Sequence, residues 1–320
     1  MNPVRLFAIA SVALLSSCAT LPKADLVVAA DGSGNFKTVQ AAIDAAPSNS
    51  AKRTVILVRR GTYPELIVVP AEKKNLTIIG EDRKQTVIAA TNNARLHPQR
   101  REMFSMSADD FRLENITLHN TTPRGGSQAE TIRVRADRVV LEHCDFKSFQ
   151  DTLRLDGRVY VHECYVEGDV DFIWGAGTVY FDRCDILALH DGYLVQSRNG
   201  ADKLGYIFAD CKIATAPAPA LTHYVLARID PGRFPFSHVV FLNCALGPGI
   251  SPEGWTFDGP GAAASKATTR FWEFQSTDLT GRALDVSHRI AGSRQLSAAE
   301  AARERDIGKV FGSWNPAAVP

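Results

Sequence analysis

The apolar positions of this chain fall into short runs that repeat. Leu141-Glu-His-Cys-Asp-Phe146, Val161-His-Glu-Cys-Tyr-Val166, Phe181-Asp-Arg-Cys-Asp-Ile186, Phe208-Ala-Asp-Cys-Lys-Ile213 and Phe241-Leu-Asn-Cys-Ala-Leu246 share one pattern of apolar positions around a cysteine. Leu113-Glu-Asn-Ile-Thr-Leu118 has the same form with Ile116 in the cysteine place, and Asn75-Leu-Thr-Ile-Ile79 is an imperfect earlier copy. From Leu113 onward the steps are 28, 20, 20, 27 and 33 residues. Short strands at such intervals, without long amphipathic helical patterns between them, predict a solenoid of strands. One repeat cannot bury its own inward side chains, whereas stacked coils bury them all. Cysteine suits an inward ladder because the free thiol behaves as a small buried hydrophobe. The expected architecture is a single-stranded parallel β-helix, all-β, with loops of variable length bulging from one side. A β-sandwich is the competing arrangement, but hairpin turns of the Asn-Gly kind are scarce between these runs.

Two stretches break the strand period. Asn35 to Ala46 has helical spacing in Phe36, Val39, Ala42 and Ile43, ends at Pro47, and is expected to cap the first coil. Gln295 to Arg305 reads as a second short terminal helix, expected to cap the other end. Pro217 to Pro260, rich in Pro and Gly, reads as loops around the later coils.

The N-terminus has a different character. Arg5 precedes a run from Leu6 to Leu15 that is apolar apart from Ser11, too short to span a bilayer at about 20 residues. Leu15-Ser16-Ser17-Cys18 is similar to a bacterial lipobox, in which Cys18 is the lipidated residue; an ordinary cleaved signal with an incidental cysteine is the alternative. The chain then divides into a signal peptide (1–17), a linker (18–27) and one catalytic domain (28–320). Several acyl chains on Cys18 would hold an exported protein at a membrane surface. Ala19 after the cysteine resembles lipoproteins sorted to the outer membrane; periplasmic or secreted placement is the other outcome.

Composition adds exclusions rather than chemistry. With 45% hydrophobic and 22% charged residues, the chain is neither disordered nor a polytopic membrane protein. Lys and Arg number 36 against 35 Asp and Glu, so a nucleic-acid partner has no electrostatic support. A monomer is expected. Cys144, Cys164, Cys184, Cys211 and Cys244 form no C-x-x-C pair, which removes the usual zinc and redox spacings. In an oxidising compartment, Cys164 and Cys184 on adjacent coils are the candidate disulfide. No metal or cofactor is expected: there is no H-E-x-x-H motif and no calcium-type cluster of acids. A G-x-S-x-G elbow is absent as well.

Candidate chemistry comes from a second regularity. Gln150-Asp-Thr-Leu153 and Asp171-Phe-Ile-Trp-Gly175 are separated by the same step as the neighbouring cysteines, so Asp151 and Asp171 should lie at equivalent positions on adjacent coils. Neighbouring strands are about 4.8 Å apart. Two carboxylates at that distance do not ionise together, and their division into a proton donor and a nucleophile needs no metal.

These residues, with others in order, resemble pectin methylesterases. The match begins with the string from Val28 to Pro47 and continues through Gly61-Thr-Tyr-Pro-Glu65, Ala108 to Ile116, and Gln128-Ala129. Gln150 to Leu153, Asp171 to Gly175, Pro252-Glu-Gly-Trp255 and Trp314 follow. The resemblance implies a right-handed parallel β-helix and a carboxylic-ester hydrolase that converts methyl-esterified galacturonan to pectate and methanol. It implies Asp171 as nucleophile, Asp151 as acid and then base, Gln128 and Gln150 as oxyanion donors, and Arg228 steadying the nucleophile. Arg198 resembles a groove arginine for a uronate carboxylate, with Phe172 and Trp174 as aromatic neighbours of the substrate. The chain departs from the pattern at Ile229-Asp230, where the family has Pro-Trp. An aromatic floor is expected to be missing there, and Asp230 to repel a uronate. Two further readings stay open: a β-helix that binds polysaccharide without catalysis, and an esterase or thioesterase for another acyl group.

Overall fold

The computed structural model describes residues 23–217, 221 and 223–318, so the expected signal and Cys18 lie outside the described residues. The chain winds as a parallel β-helix. One face is an 11-stranded sheet whose strands pair in parallel in the order of the sequence, from Leu26–Val28 to Ser293–Gln295. The other two faces join into a 15-stranded sheet because Tyr165–Gly175 and Asp185–Ser197 run through both without a break.

Register explains the core. Ile56, Ile78, Leu113, Leu141, Val161, Phe181, Phe208 and Phe241 are successive partners across the first sheet, and all are fully buried. The last three rings stack with centroids 4.5 and 4.7 Å apart and planes within 10°. The next position in this ladder is Glu273, whose buried carboxylate takes two hydrogen bonds from Arg289, at 2.8 and 2.9 Å. A charged pair thus closes the apolar column near its C-terminal end.

The corner after this face repeats too. Asn115, His143, Glu163, Arg183, Asp210 and Asn243 all have φ between 49° and 56°. Each immediately precedes Ile116 or a cysteine of the repeat. A left-handed non-glycine residue costs roughly 1–2 kcal/mol. Inter-coil hydrogen bonds offset that cost, such as Glu163 N–H to the Asp182 carbonyl at 3.0 Å.

All five repeat cysteines are buried and free, so the Cys164–Cys184 disulfide considered from spacing is not made. The reason is directional. Cys184 Sγ donates to the Val161 carbonyl at 3.4 Å and Cys164 Sγ to the Leu141 carbonyl at 3.4 Å. In-register stacking points the thiols the same way along the ladder, toward backbone carbonyls rather than toward each other.

Helix α1 (Val39–Ala45) is capped by Thr38, and its buried Val39, Ala42 and Ile43 belong to the inner core, as a plug on the first coil should. The C-terminal pair behaves differently. Helix α2 (Ala298–Arg305) starts at a Ser297–Glu300 capping box and is followed by α3 (Ile307–Phe311). Both lie along the outside of the first sheet, where Ala301, Val310, Phe311 and Trp314 cover Tyr180, Ile207 and Val240. Only α1 therefore acts as an end cap. Arg305 fastens α2 to Asp210 with hydrogen bonds of 2.6 and 2.9 Å.

Phe208→Ala removes the middle ring of the stack from a site that cannot collapse around it. It is expected to lower unfolding free energy by about 3–5 kcal/mol, read as a lower urea midpoint at unchanged slope.

Candidate active site

The third face carries a row of positions that alternate with the core. Ser105, Arg133, Arg154, Trp174 and Gln196 are partners in successive parallel pairings. The pairings of Val195 with Ala227 and of Arg228 with Thr256 extend the row through Arg228 to Thr256. The alternate positions Phe104, Ile132, Leu153, Ile173 and Val195 are fully buried.

Asp151 and Asp171 stand at the start of this face on adjacent coils. Leu153 pairs with Ile173, and the Asp151 N–H donates to the Val170 carbonyl at 3.1 Å. Both aspartates have left-handed backbones, φ 67° and 49°, which Asp tolerates better than most residues. Both are nearly buried, at 7% and 6% exposure.

Their partners are opposite in kind. Asp171 faces Arg228, with Nε 2.8 Å from Oδ1 and Nη2 bonded to Oδ2, while Gln196 Nε2 lies 3.4 Å from Oδ2. Arg228 is itself held by Asp258 at 3.1 Å and stacks on Tyr193 at 4.3 Å. The hydrogen bonds and charges of these carboxylates raise the guanidinium further above its ordinary value. Among the described residues Asp151 has a single cationic contact, Arg101 Nη2 at 3.0 Å from Oδ2. Burial pushes its carboxyl well above the usual range, the negative charge of Glu130 adds to this, Arg101 opposes it, and Asp171 raises it again. A carboxyl that burial and Glu130 push well above the usual range therefore sits beside one held at both oxygens by a guanidinium. Two carboxyl groups so differentiated are the kind of pair that general acid catalysis and nucleophilic catalysis require.

The family model described as pectinesterase matches residues 25–305. The chain belongs to the pectinesterase family. Pectinesterase 31 of Arabidopsis thaliana is 33% identical over 289 residues, covering 86% of this chain and 88% of that protein. The carrot pectin methylesterase structure superposes with a TM-score of 0.83 at 27% identity, covering 93% of this chain and 97% of the other. A pectin methylesterase solved in complex with a hexasaccharide gives 0.78 at 26% identity, with coverage of 92% and 99%.

Within this pectinesterase framework the other expected residues divide. The Ala129 N–H donates to the Gln150 carbonyl at 3.1 Å, which sets Gln128 and Gln150 on adjacent coils. Ser127 Oγ donates to Gln128 Oε1 at 2.9 Å, tying down the acceptor end of that amide. Gln150 and Ser127 border a cavity of about 380 Å³ that also includes Phe149, Asp169 and Val170. Phe172 is not at the groove: its ring is fully buried in the core, because it alternates with the outward Asp171. Trp174 is only 4% exposed. Its ring is covered by the guanidinium groups of Arg154, Arg198 and Arg101 at 4.3, 4.6 and 5.1 Å. It organises cations rather than offering an open face to a sugar. Arg198 is further fixed by Gln196 Oε1 at 2.6 Å.

The Ile229-Asp230 departure also resolves differently from expectation. Ile229 is a core residue. Asp230 Oδ1 accepts from the Gly232 and Arg233 N–H groups at 3.0 and 3.2 Å, and its Oδ2 from Gly261 at 3.2 Å. That carboxylate builds a loop and is partly neutralised by backbone donors. The same loop carries Phe234, whose ring lies 5.5 Å from the Arg198 guanidinium.

Arg101, Glu130, Gln196 and Asp258 were not singled out by sequence reasoning. Glu130 escapes the repeat count because the Thr131 and Ile132 N–H groups share the Thr152 carbonyl, at 2.8 and 3.5 Å, an irregularity that shifts the interval by one residue. The nearest metal-like group among the described residues is Glu142, His143 and His162, on the first sheet and its corner. There Arg112 bonds Glu142 and Arg183 bonds His162 Nε2, so cations already occupy those donors.

The raised Asp151 carboxyl has a stability consequence. A carboxyl raised on folding adds stability fully only below its unfolded value, about 3.9, and loses it as pH climbs toward the folded value. The melting temperature of Asp151→Asn minus that of the parent is therefore expected to increase steadily as pH rises from about 4 to neutrality, measured by calorimetry.

Proposed function

We propose that this protein hydrolyses the methyl esters of a galacturonan, pectin, to uronate and methanol, with Asp171 as nucleophile and Asp151 as acid and base. The observation that carries the reading is the oppositely partnered aspartate pair, in register on adjacent coils of a pectinesterase-family chain. Asp171 Oδ attacks the ester carbonyl carbon, and the carbonyl electrons move onto oxygen. The amide N–H groups of Gln128 and Gln150 are the proposed donors to that oxyanion. As the tetrahedral species collapses, the C–O bond to methoxide breaks and Asp151 gives its proton to the leaving oxygen. Methanol departs and an acyl anhydride remains on Asp171. Asp151, now a carboxylate, takes a proton from water while the water oxygen attacks the same carbon. The acyl bond breaks, Asp171 is restored as a carboxylate, Asp151 is restored as an acid, and the product leaves as the uronic acid, which gives its proton to solvent to become the uronate.

The surroundings favour an acidic polymer as substrate. Arg101, Arg154 and Arg198 cluster over Trp174 beside the two aspartates, and Arg133 precedes Arg154 in the same row. Guanidinium groups recognise the free carboxylates of a partly demethylated chain. A relative's complex with a hexasaccharide supports a groove that takes several sugar units. The covered Trp174 and buried Ile229 favour one second reading, an esterase for a different anionic ester, since the usual aromatic platform is replaced by cations.

Export on a lipid anchor at Cys18 belongs to the same reading; no helix among the described residues is long and apolar enough to cross a membrane.

Asp171→Ala is expected to lower methanol release from methylated pectin by about 10⁴-fold or more, measured on protein whose far-ultraviolet circular dichroism shows the fold retained. Release at the parent rate would refute the nucleophile assignment, and a panel of methylated and acetylated polysaccharides separates pectin from other esters. Cys18→Ser is expected to move the protein from the membrane fraction to the soluble fraction of the producing cell.

A further inference from the structure

The site contains a second buried acid that the reaction scheme leaves unused. Glu130 is fully buried next to Asp151, and its Oε1 accepts from Arg101 Nε at 2.7 Å. The same guanidinium reaches Asp151 Oδ2 through Nη2 at 3.0 Å. One cation therefore serves two acids from adjacent coils. Glu130 Oε2 has no hydrogen-bond partner among the described residues. On the coil before it, Glu102 is also buried, with Oε1 held by Arg135 and Ser105, both at 3.0 Å. Glu102, Glu130, Asp151 and Asp171 thus bring carboxyl groups from four successive coils to one edge of the groove. A buried, half-satisfied carboxylate is destabilising. Holding Arg101 in place would not require one beside the acid of the reaction.

We propose that Arg101 and Glu130 are positioning residues that keep Asp151 a proton donor in the resting site and receive it as a carboxylate once the proton has left. The inference rests on the acid role given to Asp151 above. Glu130 divides the positive charge of Arg101, so the guanidinium orients the Asp151 carboxyl without drawing off its proton. When methoxide has taken that proton, the new charge on Asp151 Oδ2 meets Arg101 Nη2, which holds it in place to deprotonate water. The groups facing Asp151 are Arg101 and Glu130 on the preceding coils, Asp171 on the next, and Arg198 beyond it. Glu130 itself faces Arg101 and Glu102, and burial raises its carboxyl despite Arg101.

The sign of the effect can be tested. Glu130→Gln retains an oxygen for Arg101 Nε and puts the amide nitrogen where Oε2 has no partner. Removing the negative charge stabilises ionised Asp151, so the acid form is lost at lower pH. The alkaline limb of the kcat/KM profile for methanol release is expected to move down by about one pH unit, a tenfold loss above the limb. Arg101→Gln added to Glu130→Gln is expected to move that limb back up. Glu130→Met, neutral and of similar length, should repeat the downward move if the amide is not accommodated. A uniform loss at every pH, an unmoved limb or an upward move in folded Glu130→Gln or Glu130→Met overturns the proposal. Asp151→Asn in the same assay separates this failure from the other: methanol release at the parent rate there would refute the acid assignment instead.

Discussion

The constraint on which this molecule depends is the spacing of parallel coils. Neighbouring strands stack at about 4.8 Å, and in-register pairing puts like positions over like. For apolar side chains this is favourable: Phe181, Phe208 and Phe241 stack ring on ring, and the cysteines line up their thiols against carbonyls. For acids the same geometry is costly, because carboxylates held a few ångströms apart repel one another. The site is built where that cost is accepted. Its four acids come from successive coils, and Arg135, Arg101 and Arg228 are placed against them.

The two aspartates differ through their cations rather than through their own positions. Register makes Asp151 and Asp171 equivalent, and their exposures are nearly the same. Arg228 grips both oxygens of Asp171, whereas Arg101 touches one oxygen of Asp151 and is shared with Glu130. A symmetric scaffold becomes an asymmetric pair of acids because its arginines come from different places, Arg101 from the segment before Phe104–Met106 and Arg228 from the strand Tyr224–Ile229. Arg101 together with Arg154 and Arg198 also changes the groove: over Trp174 they turn an aromatic position into a cationic one.

Irregularities in the winding position the chemistry. Register shifts on either side of Val170, between Tyr165–Gly175 and Asp185–Ser197, leave Asp171 in a left-handed conformation beside the groove. The doubled hydrogen bond at Thr152 sets Gln128 and Glu130 relative to Asp151. Bulges of this kind re-aim single side chains while the ladder on either side continues. The rigid core beneath, with Phe172, Ile173 and Leu153 fully buried, holds those side chains in place.

The linear chain by itself determined whatever follows from period. The β-helix, the cysteine ladder and the adjacency of Asp151 and Asp171 all rest on a repeat that translates directly into a vertical stack, and the plug formed by α1 rests on helical spacing just as local. The family string from Val28 to Pro47 and the Gln150 and Asp171 motifs carried the functional class in the same local way. Long-range side-chain contacts were decided only by the tertiary structure. Arg101 meets Asp151 across 50 residues and Arg228 meets Asp171 across 57, over intervals that contain loops whose length the period does not set. Whether Trp174 is open or covered, whether Asp230 repels a substrate or folds a loop, and whether facing thiols bond depend on side-chain direction. That direction is fixed by packing in three dimensions and has no counterpart in the spacing of residues along the chain.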